Sequence, residues 1–333
     1  MTTVTKIQIF LAVLILGFLT GPRVIQALQK NSPDSNESAT ISQNNITTRN
    51  PYSTAKSILV PPSSYSALHL EAKSVYVWDI LNHKKLFGMN EYAQLPLASV
   101  TKMMTAIVAT EILPENSMII IHPEDLLIEG DSGLYANEAW KFNELLDFTL
   151  ISSSNDGASA IANAAGAMLT GASSTDRLLN KKMFISKMNA KAREIGLENS
   201  RFLNESGLDV DKTISGAYGS ARDISMLLEY VFLKHPSIFN STTYARRNFR
   251  SENNILHHVT NTNPDVARIN GIIGSKTGYT DLAGGNLVVV VDIGINHPVV
   301  IAVLGSTYEG RFADVEQLLR ATVLEITKNS SIK

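Results

Sequence analysis

The sequence of 333 residues contains no cysteine, and its formal net charge at pH 7 is −2. The absence of cysteine excludes disulfide bonds, thiolate zinc sites and a thiol nucleophile. The near balance of charge, with no basic stripe and no acidic tail, argues against nucleic acid as a partner. The seven histidines show no HExxH or other metal-ligand spacing, and we expect the one cluster, His257-His258, to lie in a loop or in the core. We therefore expect no metal and no cofactor.

The N-terminal residues carry the pattern of an export signal. Lys6 precedes an apolar run at 7–20, which ends at Gly21-Pro-Arg23. The run is shorter than the ~20 residues of a membrane span, and a charge followed by an apolar stretch is typical of secretory targeting. Ile25-Gln-Ala27 is the best candidate for a cleavage site. We expect 1–28 to be a signal peptide or an uncleaved membrane anchor, and the protein to act outside the cytoplasm, in the cell envelope.

The rest of the chain divides by composition. Residues 29–57 are rich in Ser, Asn and Thr and lack aliphatic periodicity, which predicts a flexible linker. Residues 58–328 have the patterning of a globular domain, and 329–333 form a short tail. No internal repeat is present.

Within the globular part, strand patterns lie at both ends and helix patterns lie between them. Alternation and turn residues predict strands at 74–79, 85–89, 285–293 and 299–304. Apolar periodicity predicts helices at 99–112, 138–151, 157–169, 175–195, 220–233 and 311–327. This order indicates a mixed α/β (α+β) fold. Its antiparallel sheet comes from both chain ends, helices flank the sheet, and the insertion is all helical. We expect the active site at the seam between sheet and insertion.

Three short motifs occur in a fixed order: Ser99-Val-Thr-Lys102, Ser153-Ser-Asn155 and Lys276-Thr-Gly278. Each is weak alone, since the SxxK spacing recurs at 53–56 and 330–333, but KTG occurs once. The first motif opens an apolar helix, the second lies between two predicted helices, and the third precedes a predicted hairpin. Together they are typical of serine acyl-enzymes that open β-lactams or D-Ala-D-Ala peptides.

The first motif supplies a nucleophile and a base. Ser99 and Lys102 are one helical turn apart and share a face, and the helix N-terminus favours a developing anion at Ser99. Lys102 can take the hydroxyl proton only if it is neutral, which requires burial or a nearby cation such as Lys276. The sequence has no GxSxG elbow and no obvious Ser-His-Asp set, so we interpret this pair as catalytic.

The second motif lies at a predicted helix break. We expect Ser153 to pass a proton to the leaving amine, and Asn155 to hold Lys102 and a substrate amide. We expect Asp156 to cap the following helix.

The third motif is predicted to form or end an edge strand. Lys276 offers positive charge to a substrate carboxylate and Thr277 offers a hydroxyl donor, while Gly278 lets a peptide backbone approach closely. The backbone N–H groups of Ser99 and Tyr279 are the natural oxyanion pair.

With these motifs the chain resembles the D-alanyl-D-alanine carboxypeptidases among the low-molecular-mass penicillin-binding proteins, over most of 65–325. The segments that carry the resemblance are Pro96-Leu-Ala-Ser-Val-Thr-Lys-Met-Met-Thr105, Ser153-Ser-Asn-Asp156, Phe202-Leu-Asn204 with Gly207-Leu208, Ser220-Ala-Arg-Asp223, Asn261-Thr-Asn263, and Gly274-Ser-Lys-Thr-Gly-Tyr-Thr-Asp281 with Ala283-Gly284. The resemblance implies a β-lactamase/transpeptidase-like fold. It also implies peptidoglycan stem peptides as substrates, β-lactams as covalent inhibitors, and loss of the terminal D-Ala through an acyl-enzyme on Ser99. It further implies that Arg311 binds the terminal carboxylate.

The sequence departs from the family pattern in two ways. Ser154 stands where the family usually has Gly or Ala, which would tighten the loop beside Asn155. The sequence also shows no β-rich C-terminal domain or C-terminal membrane helix, so we expect any membrane attachment to come from the N-terminal segment.

Other readings of the motifs remain open. Short members of this family include D,D-endopeptidases that cut peptidoglycan cross-links, and that activity is the main alternative. A class A-like β-lactamase needs an activating carboxylate in an ExxLN loop, which Glu198-Asn199 and Glu205 do not match. A non-catalytic binding module would have no need to keep all five of Ser99, Lys102, Ser153, Asn155 and Lys276.

Overall fold

The computed structural model describes residues 63–130, 133–171, 176–294 and 296–331. The export segment and linker predicted at 1–57 lie outside these residues, so the predicted domain boundaries at 28, 57 and 328 remain predictions. The described residues all belong to one structural unit. Within them, no helix is both long and apolar enough to cross a bilayer.

A five-stranded antiparallel sheet forms the centre of the fold. Its strands, in spatial order, are β10 (Ile272–Thr280), β11 (Gly284–Asp292), β12 (Pro298–Ser306), β1 (Ser74–Asp79) and β2 (Lys84–Met89). The two chain ends meet where β1 pairs with β12, from Ser74 opposite Leu304 to Asp79 opposite Val299. The predicted antiparallel sheet built from both chain ends is therefore confirmed, and β10, which carries the KTG motif, lies at its edge.

Both faces of this sheet are covered. All nine residues of β12 are buried, which accords with a nearly continuous run of Val, Ile, Ala and Leu in a strand covered on both sides. One face packs in the larger core with the helical part of the molecule, through Val288, Val290, Val300 and Ala302. The other face packs against the C-terminal helix, through Val289, Val291, Ile301 and Val303.

The described residues contain six α-helices. They are α1 (Lys102–Ile112), α2 (Phe142–Ser152), α3 (Asn155–Thr170), α4 (Arg177–Glu194), α5 (Ala221–Lys234) and α6 (Gly310–Ser331). The first eight residues of α1 are all buried, as the apolar run predicted. Helix α4 ends at Glu194, and Gly196, two residues further on, has a φ of +74°, which suits the glycine predicted to stop this helix.

Two predicted helix starts were wrong. Ser99 lies in a 3₁₀ turn, Ala98–Thr101, and the α-helix begins only at Lys102. The helix predicted from 138 begins at Phe142, because Ala139–Lys141 form strand β5 and pair with β4 (Met118–Ile120). Trp140 of β5 is fully buried, so tertiary packing overrides the apparent helical periodicity there.

Two smaller sheets frame the region of the motifs. One contains β3 (Leu95–Pro96), β7 (Ala217–Gly219) and β6 (Arg201–Phe202), and the other pairs β8 (Arg246–Arg250) with β9 (Leu256–Thr260). Pairing of β3 with β7 holds the chain immediately before the first motif. His257, in β9, is buried and contacts Glu138 Oε1 through Nε2 at 2.6 Å. The prediction of a loop or core position is confirmed for His257 but wrong for His258, which is exposed on the same strand.

The buried central strand provides a test of the fold. Ile301→Ala should lower the free energy of unfolding by about 2–5 kcal/mol, because the side chain is fully buried between β12 and α6. Urea-induced unfolding measures this loss. Leu178→Ala is the control, since Leu178 is 81% exposed, and its effect should stay within about 0.5 kcal/mol. Equal losses in the two variants would contradict the assignment of β12 to the core.

Candidate active site

The three motifs come together at the seam between the sheet and the helical part. The 3₁₀ turn that carries Ser99 lies against β10, and the second motif occupies the break between α2 and α3. Ser99 is half-buried, whereas Ala98, Val100 and Thr101 around it are buried. The packing of its neighbours thus leaves the Ser99 hydroxyl at the surface of the cleft.

Two glycines permit the close packing around this turn. Gly207 has a φ of +80°, and a Cβ on it would lie 1.8 Å from the carbonyl oxygen of Ala98. A Cβ on Gly278 would lie 2.9 Å from the Leu97 carbonyl oxygen and 3.2 Å from the Ser99 nitrogen. Strand β10 therefore approaches the Ser99 backbone as closely as a glycine allows. The approach of a substrate backbone to Gly278 stays a prediction.

Lys102 lies at the centre of the site. Its Nζ lies 2.8 Å from Ser99 Oγ and donates to Asn155 Oδ1 at 2.7 Å and to the Ser206 carbonyl at 2.9 Å. The residue is 1% exposed. Burial lowers the pKa of Lys102 to about 7, against the opposing effect of the Glu205 and Asp156 carboxylates. A large neutral fraction near pH 7 is what a lysine base needs.

The second motif bends the chain sharply between two helices. Ser153 ends α2 in the left-handed conformation, with a φ of +61°, which is unfavourable for a residue other than glycine. This conformation places Ser153 Oγ 2.8 Å from Lys276 Nζ, which donates to it. The strain at Ser153 therefore coincides with a contact between the second and third motifs.

Ser154, rather than Asp156, caps the next helix. The Ser154 hydroxyl accepts a hydrogen bond from the Gly157 N–H at 2.8 Å, so the prediction that Asp156 forms the cap was wrong. Asp156 is buried in the first turn of α3, where the helix N-terminus favours a carboxylate. The serine that departs from the family pattern thus takes the capping role.

Asn155 joins the site to a neighbouring loop. Its Oδ1 accepts from Lys102, and its Nδ2 donates to the Glu129 carbonyl at 2.7 Å. The predicted contact with Lys102 is therefore present. The predicted contact of Asn155 with a substrate amide stays a prediction.

Lys276 and Thr277 face the site from strand β10. Lys276 is 2% exposed, and its pKa is lowered well below the usual value, first by burial and then by the charges of Lys102 and Arg311. It also donates to the Thr277 carbonyl at 2.8 Å. Thr277 Oγ1 lies 2.6 Å from Thr262 Oγ1. Two lysines thus share one buried region, and their mutual repulsion favours a neutral form of at least one of them.

Arg311 lies against the end of the KTG segment, at the start of α6. It is 3% exposed, and its Nη1 donates to the Gly278 carbonyl at 2.7 Å. The guanidinium carbon lies 4.5 Å from the ring centroid of Tyr308 and 4.7 Å from that of Phe312. Nε has no hydrogen-bond partner among the described residues. The structure therefore brings Arg311 to the KTG segment, with its Nε buried there without a hydrogen-bond partner among the described residues.

The sequence analysis assigned no role to Thr262 and Asn286, although both residues help to position the site. Thr262 belongs to a segment that entered only as part of the family resemblance, yet its hydroxyl contacts Thr277. Asn286 in β11 donates to the Pro96 and Leu97 carbonyls at 3.0 Å, and its Oδ1 accepts from Gly305 N. A polar residue next to the run Leu287-Val-Val-Val-Val291 is the signal that could have identified Asn286, because buried amides need partners.

A serine hydroxyl beside a buried lysine, with a Ser-Asn pair from the helices and KTG on the sheet edge, defines a serine acyl-enzyme of the penicillin-binding type. The sequence model of the D-alanyl-D-alanine carboxypeptidase family, peptidase family S11, matches residues 61–307. The chain belongs to this family. The predicted family, the fold class and the enzyme class are thereby confirmed.

The similar proteins include enzymes named for each of the two activities that the sequence left open, carboxypeptidase and endopeptidase. The D-alanyl-D-alanine carboxypeptidase DacF of Bacillus subtilis is 29% identical over 76% of this chain and 62% of its own length. The chain thus matches less than two thirds of that relative. A D-alanyl-D-alanine endopeptidase of Haemophilus influenzae is 32% identical over 66% of this chain and 70% of its own length. Penicillin-binding protein D2 of Listeria monocytogenes, solved in its ampicillin-bound form, superposes with a TM-score of 0.63. It is 26% identical over 76% of this chain and 98% of that chain.

The burial of Lys102 predicts a specific pH dependence of acylation by penicillin. Lys102 can accept the Ser99 proton only when neutral, and its pKa is about 7. The acylation rate constant should therefore rise about tenfold per pH unit below 7 and level off above it. The pH profile of this rate constant is measured by mass spectrometry of the penicilloyl adduct in samples quenched at set times. A rate constant that keeps rising to pH 10 would contradict the assignment of Lys102 as the base.

Proposed function

We propose that this protein is a serine-type D-Ala-D-Ala carboxypeptidase that removes the terminal D-Ala from peptidoglycan stem peptides. The contact that carries the proposal is Lys102 Nζ between Ser99 Oγ at 2.8 Å and Asn155 Oδ1 at 2.7 Å. The family match over residues 61–307 supports the same activity.

The geometry supports an acyl-enzyme route. Neutral Lys102 takes the proton of Ser99, and Ser99 Oγ attacks the carbonyl of the penultimate D-Ala. The N–H groups of Ser99 and Tyr279 stabilise the oxyanion. Ser153 passes its hydroxyl proton to the leaving amine and is reprotonated by Lys102, which holds the proton of Ser99, while Lys276 donates a hydrogen bond to Ser153 Oγ. D-Ala therefore departs as the ester forms. Water then hydrolyses the ester and returns Ser99 to its hydroxyl form.

Strand β10 provides a binding edge for the substrate backbone. It lies at the edge of the sheet, and an extended peptide can pair with such an edge through main-chain hydrogen bonds. Lys276, Thr277 and Gly278 lie along that edge, with Arg311 beside Gly278. We assign the substrate carboxylate to Thr277 and Arg311, and the electrostatic attraction to Lys276.

The same site is expected to react with β-lactams and to operate in the cell envelope. The similar Listeria protein was solved with ampicillin bound, which supports covalent inhibition here. Peptidoglycan lies outside the cytoplasm, and this location suits the export segment predicted at 1–28. We propose that this segment is a signal peptide or the anchor of the protein.

A D,D-endopeptidase is the second candidate. The Haemophilus influenzae endopeptidase is as similar in identity as the Bacillus subtilis carboxypeptidase. Both reactions acylate a serine with the same carbonyl and differ in the leaving amine. The choice between them therefore depends on the space available to the leaving group.

Ser99→Ala should abolish both acylation by penicillin and peptidase activity, because no other hydroxyl contacts Lys102 in the described residues. Mass spectrometry of the full-length protein after incubation with penicillin detects the adduct. Ser53→Ala is the matched control, since it removes the serine of the SxxK segment Ser53-Thr-Ala-Lys56. An adduct that persists in Ser99→Ala would contradict the assignment of the nucleophile.

The products identify the bond that is cut. The wild-type protein should release D-Ala from a pentapeptide that ends in D-Ala-D-Ala, as followed by mass spectrometry. A cross-linked muropeptide dimer is offered in parallel. Cleavage of the dimer without release of D-Ala from the pentapeptide would replace the carboxypeptidase assignment with the endopeptidase.

Arg311→Ala should reduce D-Ala release more than it reduces acylation by penicillin, because the guanidinium is assigned to the terminal carboxylate of the peptide. The difference is measured as the loss in kcat/KM for D-Ala release compared with the loss in the second-order rate constant for acylation by penicillin. Arg320→Ala, on the exposed face of the same helix, is the control. Equal loss of both reactions would exclude the carboxylate role.

A further inference from the structure

An ion pair involves Glu205, the residue that precedes Ser206, whose carbonyl accepts a hydrogen bond from Lys102. Lys181 Nζ of α4 lies 3.0 Å from Glu205 Oε1, and Glu205 is 4% exposed. A buried carboxylate is costly unless it is paired. Lys181 is therefore the group that makes a charged Glu205 tolerable at this place.

The Glu205 backbone also holds the helix that carries Lys102. The Glu205 carbonyl accepts from Thr105 Oγ1 at 2.6 Å, and the Ser206 carbonyl accepts from Lys102 Nζ at 2.9 Å. Both donors lie in the first turn of α1. The loop at 205–206 is thus attached to α1 by two hydrogen bonds, one of them to the catalytic base itself.

A buried network fixes Lys181 from the other side. Lys181 Nζ donates to Ser159 Oγ at 2.6 Å, and Ser159 Oγ donates to Asp125 Oδ1 at 2.5 Å. Asp125 is fully buried and forms an ion pair with Arg177. Lys181 is therefore held by Ser159 of α3, which in turn contacts Asp125 in the 3₁₀ turn Pro123–Leu127. These contacts fix the Lys181 ammonium beside Glu205.

We propose that Glu205 and Lys181 act as positioning residues for Lys102: the carboxylate stabilises the protonated base, and the neighbouring ammonium limits how strongly it does so. This inference rests on the proposed role of Lys102. None of the three sequence motifs contains either residue.

The charged groups around Lys102 come from three elements. Glu205 faces it from the loop and Asp156 from α3, and both raise the pKa of Lys102. Lys276 faces it from β10, and the pKa of Lys276 is lowered first by burial and then by the Lys102 charge. Because Glu205 is paired with Lys181, its effect on Lys102 can be changed in both directions by substitution at these two positions.

Two variants should move the acylation profile in opposite directions. Glu205→Gln removes a negative charge at nearly constant shape, so the pH midpoint of penicillin acylation should fall by at least ~0.5 unit. Lys181→Met leaves the Glu205 charge unshielded, so the midpoint should rise. The double variant should return toward the wild-type midpoint, and the cycle of four proteins gives the coupling between the two residues.

Glu111→Gln is the control, because Glu111 forms a carboxylate–lysine pair with Lys191 of α4, the helix that carries Lys181, but is not among the charged groups that shift the pKa of Lys102. Its midpoint should equal that of the wild type. A Glu205→Gln midpoint equal to the wild-type value, or single variants that both shift in one direction, would overturn the proposal. Failure of the wild-type protein to form any adduct would instead overturn the proposed function, so the two failures are distinguishable.

Discussion

The site depends on the burial of one amino group. Lys102 Nζ contacts a hydroxyl from the first motif, an amide from the second, and a backbone carbonyl from the loop at 206. Its removal from water lowers its pKa to about 7, and the three contacts fix it beside Ser99. A serine hydroxyl needs a neutral base at this distance, so the surrounding fold can be understood as the structure that keeps this lysine buried.

The architecture supplies that burial from two directions. The sheet brings β10 against the 3₁₀ turn of Ser99, where Asn286 ties the preceding Pro96 and Leu97 carbonyls to β11. The helical part supplies the second motif through a left-handed Ser153, and it supplies the loop at 205–206. Ala98 and Ser153 adopt left-handed backbone conformations at this seam, and Lys102 and Lys276 are buried there, as is common where a site must be preorganised. The valine-rich strands and apolar helices provide the stability that offsets them.

Much of this arrangement was predictable from the sequence, because the signals were local. Apolar runs indicated β11, β12 and α1, and motif order indicated which elements meet at the cleft. Helix starts were less predictable: Ala139–Lys141 form a strand because they pair with Met118–Ile120, a partner distant in sequence. The cap at Ser154 and the Glu205–Lys181 pair depend on backbone geometry and on tertiary contacts, which no local pattern reports.

The most direct test of the central claim is a titration of Lys102 itself. With lysines labelled at ¹³Cε, the Lys102 signal can be assigned by its loss in Lys102→Arg and followed by NMR across pH 5–11. The account predicts a midpoint of about 7 for this residue in the free protein, while exposed lysines titrate near their usual ~10.4. A Lys102 midpoint close to that of the exposed lysines would contradict the account, since the base would then be charged at the pH where Ser99 must react.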